Sequence, residues 1–169
     1  MIPVTVVERF RTIPNRHFDA MRIYALVDGL QYQQHTGQQL EPLDDIAVSL
    51  FAGTTDIALA HAGPWLVYTK EAQGRVAELD ALEAARPGVV WLFASADLEV
   101  LAGKLRPHLS VRLPNSQSAM LRFWDPRVLH ALNQSLQSKQ ERALFSAARE
   151  WLYLNEGQRL HINANTSTI

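Results

Sequence analysis

Ser118-Ala-Met-Leu-Arg-Phe-Trp-Asp-Pro-Arg-Val-Leu-His130 is the stretch on which the reading of this chain turns. It predicts a strand that runs straight into a helix, with charged residues at the junction. In an extended chain side chains alternate, so Met120, Arg122 and Trp124 share one face and Leu121 and Phe123 the other. Asp125 is suited to N-cap the helix, and Pro126 costs nothing at the first helical position, where its missing N–H had no partner. Val128, Leu129, Leu132 and Leu136 follow at helical spacing. Arg122 is the oddity. If buried in an apolar strand, it must find a carboxylate or carbonyls.

Working outward, residues 110–113 and 118–124 flank Pro114-Asn-Ser-Gln117 as a hairpin. Val89-Val-Trp-Leu-Phe-Ala94 has the length and apolarity of a central strand, and Ile23-Tyr-Ala-Leu-Val-Asp-Gly29 reads as a buried strand that delivers Asp28 at its C-terminal end. Trp65 to Tyr68, entered through Gly63-Pro64, has strand composition. Helices are predicted over 42–52 (Leu43, Ile46, Ala47, Leu50 and Phe51 inward), over 72–86 (Val76, Leu79 and Leu82 inward, Glu71, Glu78 and Glu83 outward), and after Ser95 as cap. Gln31 to Gln39 reads as a loop or a loose helix start. Towards the C-terminus, Ser138 and Glu141 have capping-box spacing, and Leu144, Ala147, Ala148 and Trp151 form a helical stripe. Residues 152–162 form a small hairpin turning at Glu156-Gly157, and 163–169 a frayed tail. Val4, Val6 and Val7 favour a strand near the N-terminus, while residues 8–11 extend it or turn helical. The sum is an α/β (mixed α+β) fold in a single domain over residues 1–169, with a mixed central sheet of about five strands, helices packed on it, C-terminal helices and a small hairpin.

Composition narrows the function. A net charge of -1 without any Lys/Arg block offers no cationic face for nucleic acid. Cysteine is absent, which removes thiolate metal sites and a Cys nucleophile. No apolar run approaches the roughly 20 residues of a membrane-spanning helix, and no signal peptide is expected. The expectation is a soluble cytoplasmic protein without a membrane partner. His17, His35, His61, His108, His130 and His161 show no metal-ligand spacing, and there is no nucleophile elbow or phosphate loop, so no metal and no cofactor are expected.

The best catalytic constellation is Asp28, Asp125 and His108, with Arg122 as an anion clamp at strand ends, for a small hydrolase or transferase. Against it, Asp125 already has a capping role and Asp28 can neutralise Arg122 in a structural pair. Arg127 lies in the first helical turn, where the dipole disfavours a cation and capping does not require it. Among the tryptophans, Trp91 and Trp151 read as core, while Trp65 and Trp124 are the candidates for partial exposure and partner contact.

The order of short motifs adds a further observation. Tyr24-Ala-Leu-Val-Asp-Gly29, Ser49-Leu-Phe-Ala-Gly-Thr54, Ala62-Gly-Pro-Trp-Leu-Val67, Ser95-Ala-Asp-Leu98, Leu105-Arg-Pro-His-Leu109, Val111-Arg-Leu-Pro114 and Leu121-Arg-Phe-Trp-Asp-Pro-Arg-Val-Leu129 occur in series. Together, over roughly Ile23 to Trp151, they resemble the effector adaptor chaperones of bacterial type VI secretion, a family long labelled a domain of unknown function. The resemblance implies a non-enzymatic cytoplasmic adaptor, monomeric when free, that holds a toxic effector and helps load it on its cognate VgrG spike protein. A structural subunit of the secretion assembly is the other non-catalytic reading. Under the adaptor reading Asp28, Arg122 and Asp125 form a structural ion-pair and cap cluster, and Arg127, Trp65 and Trp124 are the partner-contact residues.

Overall fold

The computed structural model describes residues 1–135 and 139–164. Its centre is a six-stranded sheet in the order β2-β3-β1-β4-β7-β8. The strands are β1 (Arg22–Asp28), β2 (Ala47–Ser49), β3 (Pro64–Tyr68), β4 (Val89–Ala94), β7 (Glu150–Asn155) and β8 (Gln158–Asn163). A separate hairpin joins β5 (Ser110–Arg112) to β6 (Ser118–Met120). The helices are α1 (Val4–Thr12), α2 (Gly29–Thr36), α3 (Gln73–Ala85), α4 (Leu98–Leu105), α5 (Pro126–Gln134) and α6 (Lys139–Phe145).

The α/β class and the helix-covered sheet hold, but the sheet has six strands and every neighbouring pair is antiparallel. Alternating strands and helices followed by a hairpin predict a mixed sheet. The crossover through α3 does join two parallel strands, β3 and β4, yet β1 lies between them and runs opposite to both. This arrangement buries β1 and β4 on both faces. Along β4 the side chains alternate. Val90, Leu92 and Ala94 join a core cluster with α4, α5 and α6, whereas Val89, Trp91 and Phe93 join the cluster under α1, α2 and α3.

The N-terminal segment is helical rather than extended. Its β-branched residues are overridden by packing: Val6 is buried, Phe10 meets Phe93 edge-on at 5.2 Å, and Arg9 reaches the buried Glu150 at 2.5 and 2.8 Å. The helix expected over 42–52 is a tight turn followed by β2. Leu43 and Ala47 exchange backbone hydrogen bonds of 2.9 and 3.0 Å around Asp45, whose φ is 59°. Asp tolerates that left-handed backbone, so the two adjacent aspartates made a turn and not a helical first turn. Leu50 and Phe51 still reach the core, but Leu43 is exposed.

Three further boundaries differ from expectation. The cap of α4 is Asp97, whose Oδ1 accepts from Val100 N at 3.0 Å, two residues beyond Ser95. The residues Leu144, Ala147, Ala148 and Trp151 are all buried, but α6 ends at Phe145 and Trp151 belongs to β7. Its indole N–H donates to the Phe145 carbonyl at 2.9 Å, which ties the helix end to the strand. The strand predicted over 118–124 stops at Met120, so Met120 (exposed) and Trp124 (buried) do not share a face. Leu136, Ser138 and residues 165–169 lie outside the described residues.

The hairpin turning at Glu156-Gly157 is present as β7–β8, and it completes the main sheet instead of standing apart. Glu83, expected on the outer face of α3, is buried. It sits four residues after Leu79 on the inward stripe, accepts from Trp91 Nε1 at 2.9 Å, and binds Arg159 of β8 at 2.6 and 2.7 Å. Removing one member of such an enclosed pair leaves an uncompensated charge and an orphaned indole N–H. Glu83→Ala is therefore expected to lower the unfolding free energy by about 3 kcal/mol, checked by denaturant unfolding.

Candidate protein-interaction site

Asp28 ends β1 and is almost fully buried. Its Oδ1 accepts from the amides of Leu30 (3.0 Å) and Gln31 (3.1 Å), which caps α2. Its Oδ2 accepts from Arg122 Nη2 at 3.2 Å, across 94 residues of sequence. The next residue must be glycine for reasons of space. A Cβ on Gly29 would collide with the carbonyl oxygen of His61 and come within 2.8 Å of that of Gly63, both main-chain atoms. The N-terminus of α2 is thus wedged against the 3₁₀ turn Ile57–Ala62, and Gly29 N donates to Gly63 O at 2.8 Å.

Asp125 behaves as the sequence suggested. Its Oδ1 accepts from Arg127 N at 2.9 Å and caps α5. The same carboxylate takes the Arg127 guanidinium as a fork, Nε at 3.0 Å and Nη2 at 2.8 Å. Capping itself does not need this cation, yet the fork offsets its unfavourable place in the first turn. Arg122 and Arg127 keep their outer surfaces in water, with side chains 49% and 65% accessible. Arg122 answers the demand for a carboxylate with Asp28, and its guanidinium also lies 5.9 Å from the Trp124 ring centroid.

The two carboxylates respond oppositely to their surroundings. Burial pushes Asp28 above the usual carboxylate value, against the pull of the Gln31 and Leu30 amides and of Arg122. Burial also works to raise Asp125, but the hydrogen bonds and charge of Arg127, with Arg122 behind them, hold it below the usual value.

Both tryptophans assigned to partner contact are buried, each 2% accessible, so the expectation of partial exposure fails. Trp65 follows Gly-Pro, but β3 is an inner strand of the sheet, and the indole N–H donates to Ala60 O at 2.8 Å. Trp124 lies in a turn whose side chain folds inward, edge-on to Phe51 (6.1 Å) and Phe123 (5.6 Å). Trp91 and Trp151 are core, as expected. What the sequence missed is apolar exposure beside the Asp28 cluster. Leu30 on α2 and Ile57 and Leu59 on the 3₁₀ turn are open to solvent. Their spacing gave no signal, because a polar glutamine run and a short ambiguous segment carry them.

Of the catalytic constellation, Asp28, Asp125 and Arg122 lie close enough to feel one another's charge, while His108 stands apart from them. His108 lines a cavity of about 350 Å³ walled by Pro107, Val111, Leu121 and Leu132 among others, and neither Asp28 nor Asp125 belongs to that wall. Burial lowers the basicity of His108. Both aspartates are already engaged by cap amides and guanidinium groups, which leaves them poorly placed for proton transfer. Among the described residues, no group of three or more His, Asp or Glu side chains is placed to hold a metal ion. No helix among them is long and apolar enough to cross a membrane.

Opposite shifts give opposite pH dependences. Asp125, lowered on folding, contributes stability above its unfolded value that is lost as pH falls through the folded one. Asp28, raised on folding, works the other way: stability is regained as pH falls through its folded value and is complete below the unfolded one. In thermal melts across the acid range, Asp125→Asn is expected to flatten the loss of stability below the usual carboxylate range, and Asp28→Asn to steepen the net acid loss just above it.

A profile of one family, described as a domain of unknown function (DUF4123), matches residues 23–143 of this chain. That span holds Asp28, Trp65, Arg122, Trp124, Asp125 and Arg127 and leaves out α1, β7 and β8. No curated protein and no solved structure matches the chain.

Proposed function

We propose that this chain, which belongs to the DUF4123 family, is a cytoplasmic adaptor chaperone of bacterial type VI secretion. It holds a toxic effector and helps load it on the cognate VgrG spike protein. The observation that carries the reading is the family match itself, within which the serial motifs from Tyr24 to Leu129 fall. The surface around Asp28 supports it. Two guanidinium groups held by enclosed carboxylates stand at solvent, and Leu30, whose amide binds Asp28, is exposed on the helix that Asp28 caps. Polar heads fixed in place beside apolar side chains suit recognition of a protein surface, because little side-chain freedom is lost on binding.

The role asks for no nucleophile and no metal. It asks for a shaped surface that covers an apolar or flexible part of the effector and later lets it go. Asp28, Arg122 and Asp125 serve the architecture in this reading, and Arg127 makes the contact. Trp65 and Trp124 act from beneath the surface, by supporting the elements that carry it.

The test is co-expression of the tagged chain with the effector and spike proteins encoded beside it. The wild-type chain is expected to retain both, and recovery of neither contradicts the reading. Arg127→Ala is expected to lower folding stability by about 1 kcal/mol, because the enclosed Asp125 loses its fork but keeps the cap amide and the charge of Arg122, while weakening effector capture about tenfold. Arg122→Ala is expected to cost more stability than Arg127→Ala, because it strips the buried Asp28 of its counter-ion. Thermal melts in the reverse order contradict the assignment of roles.

A further inference from the structure

The main sheet has two edges of different character. β2 is only three residues long, and a short edge is a poor template for further pairing. β8 runs for six residues. Its backbone phase follows from the turn before it. Glu156 and Gly157 have φ of 50° and 77°, as a two-residue type I′ turn requires. Such a turn makes Asn155 and Gln158 a hydrogen-bonded pair, and alternation then directs the N–H and C=O of Leu160 and Ile162 at β7. Those of Arg159 and His161 point away from it. Ala164 N, donating to Arg149 O at 3.2 Å, keeps the same phase.

Among the described residues, no strand pairs with β8 on that outer side. The strand also lacks the usual protection against pairing. It contains no Pro and no Lys, and its Arg159 is neutralised by Glu83 at 2.6 and 2.7 Å. Leu160 and Ile162 continue the apolar face that faces α4, α5 and α6, with Leu160 only half-buried at its rim. His161 stands exposed on the other face.

We propose that the outer edge of β8 receives an extended segment of the effector as a further strand of the main sheet. This inference rests on the adaptor reading above. The segment it fits is free of Pro, uncharged, and alternates, with apolar side chains on the side of Leu160. A second copy of the chain fits the edge less well. Two-fold pairing centred on His161 sets that side chain against its own copy, and one strand pair is a small contact beside the roughly 800 Å² per partner of a stable interface. An effector segment needs no large area here, because contacts elsewhere on the adaptor raise its effective concentration at the edge.

His161→Pro tests the proposal. It removes an amide aimed away from β7 and places the ring in the path of an added strand, at a position where an edge tolerates proline. The experiment co-expresses the tagged chain with the effector encoded beside it. The wild-type chain is expected to retain the effector, and the variant to retain it at least about tenfold less. In the wild-type complex, hydrogen exchange at the Arg159 and His161 amides is expected to slow relative to the free chain. If the variant melts early, the exchange result decides alone. Equal retention by both chains, with exchange at these amides unchanged, overturns the strand addition and leaves the adaptor reading standing. A free wild-type chain that is dimeric by light scattering, and monomeric as His161→Pro, overturns it in favour of a second copy. A wild-type chain that retains no effector overturns both.

Discussion

One buried carboxylate organises the site. Asp28 accepts from two amides of α2 and one guanidinium of the segment before α5, and so joins the end of a central strand to a residue 94 positions away. Burial pushes its carboxyl above the usual range, and the surrounding amides and Arg122 offset that push only in part. The geometry follows from this constraint. Gly29 must be glycine because the helix begins against the main chain of His61 and Gly63, and Arg122 is held with its outer surface in water. Asp125 repeats the device three residues on from Arg122, with a cap and a guanidinium fork on a single carboxylate.

Where apolar periodicity met a clear stop, the sequence was readable. β1 with Asp28 at its end, β4, α3 and the start of α5 at Asp125-Pro126 all stand where the residues put them. The pairing of Asp28 is legible for the same reason: a carboxylate that closes a buried strand needs donors, and Arg122 is the cation without a place. Failures came where tertiary contacts outweighed local preference. Valines in α1 became helical because Phe93 and Glu150 were there to receive Phe10 and Arg9. A periodicity of apolar residues over 42–52 was compatible with a helix, and the left-handed Asp45 decided otherwise. The sequence neighbours of Trp65 and Trp124 favour partial exposure, but exposure depends on strand order, and Trp65 lies on an inner strand. The exposed Leu30, Ile57 and Leu59 belong to segments with no periodic pattern to read.

The family match and the sheet divide the molecule in the same place. The matched residues supply β2, β3, β1 and β4, and the unmatched ends supply α1, β7 and β8. Those ends are fastened to each other and to the matched part by guanidinium–carboxylate pairs, Arg9 with Glu150 and Arg159 with Glu83, and by Arg159 with Thr5. The effect is to cover β4 with β7 and to move the long free edge outward to β8. In the proposed role the matched part presents charged and apolar contacts, and the added strands present backbone.

Asp28 and Arg122 act as one architectural unit. A double-mutant cycle in unfolding free energy, with Asp28→Asn and Arg122→Gln alone and together, measures that coupling directly. A favourable interaction energy of about 1–2 kcal/mol is expected between the two positions. Strictly additive effects would contradict it, because they would mean that the carboxylate and the guanidinium are neighbours without being partners.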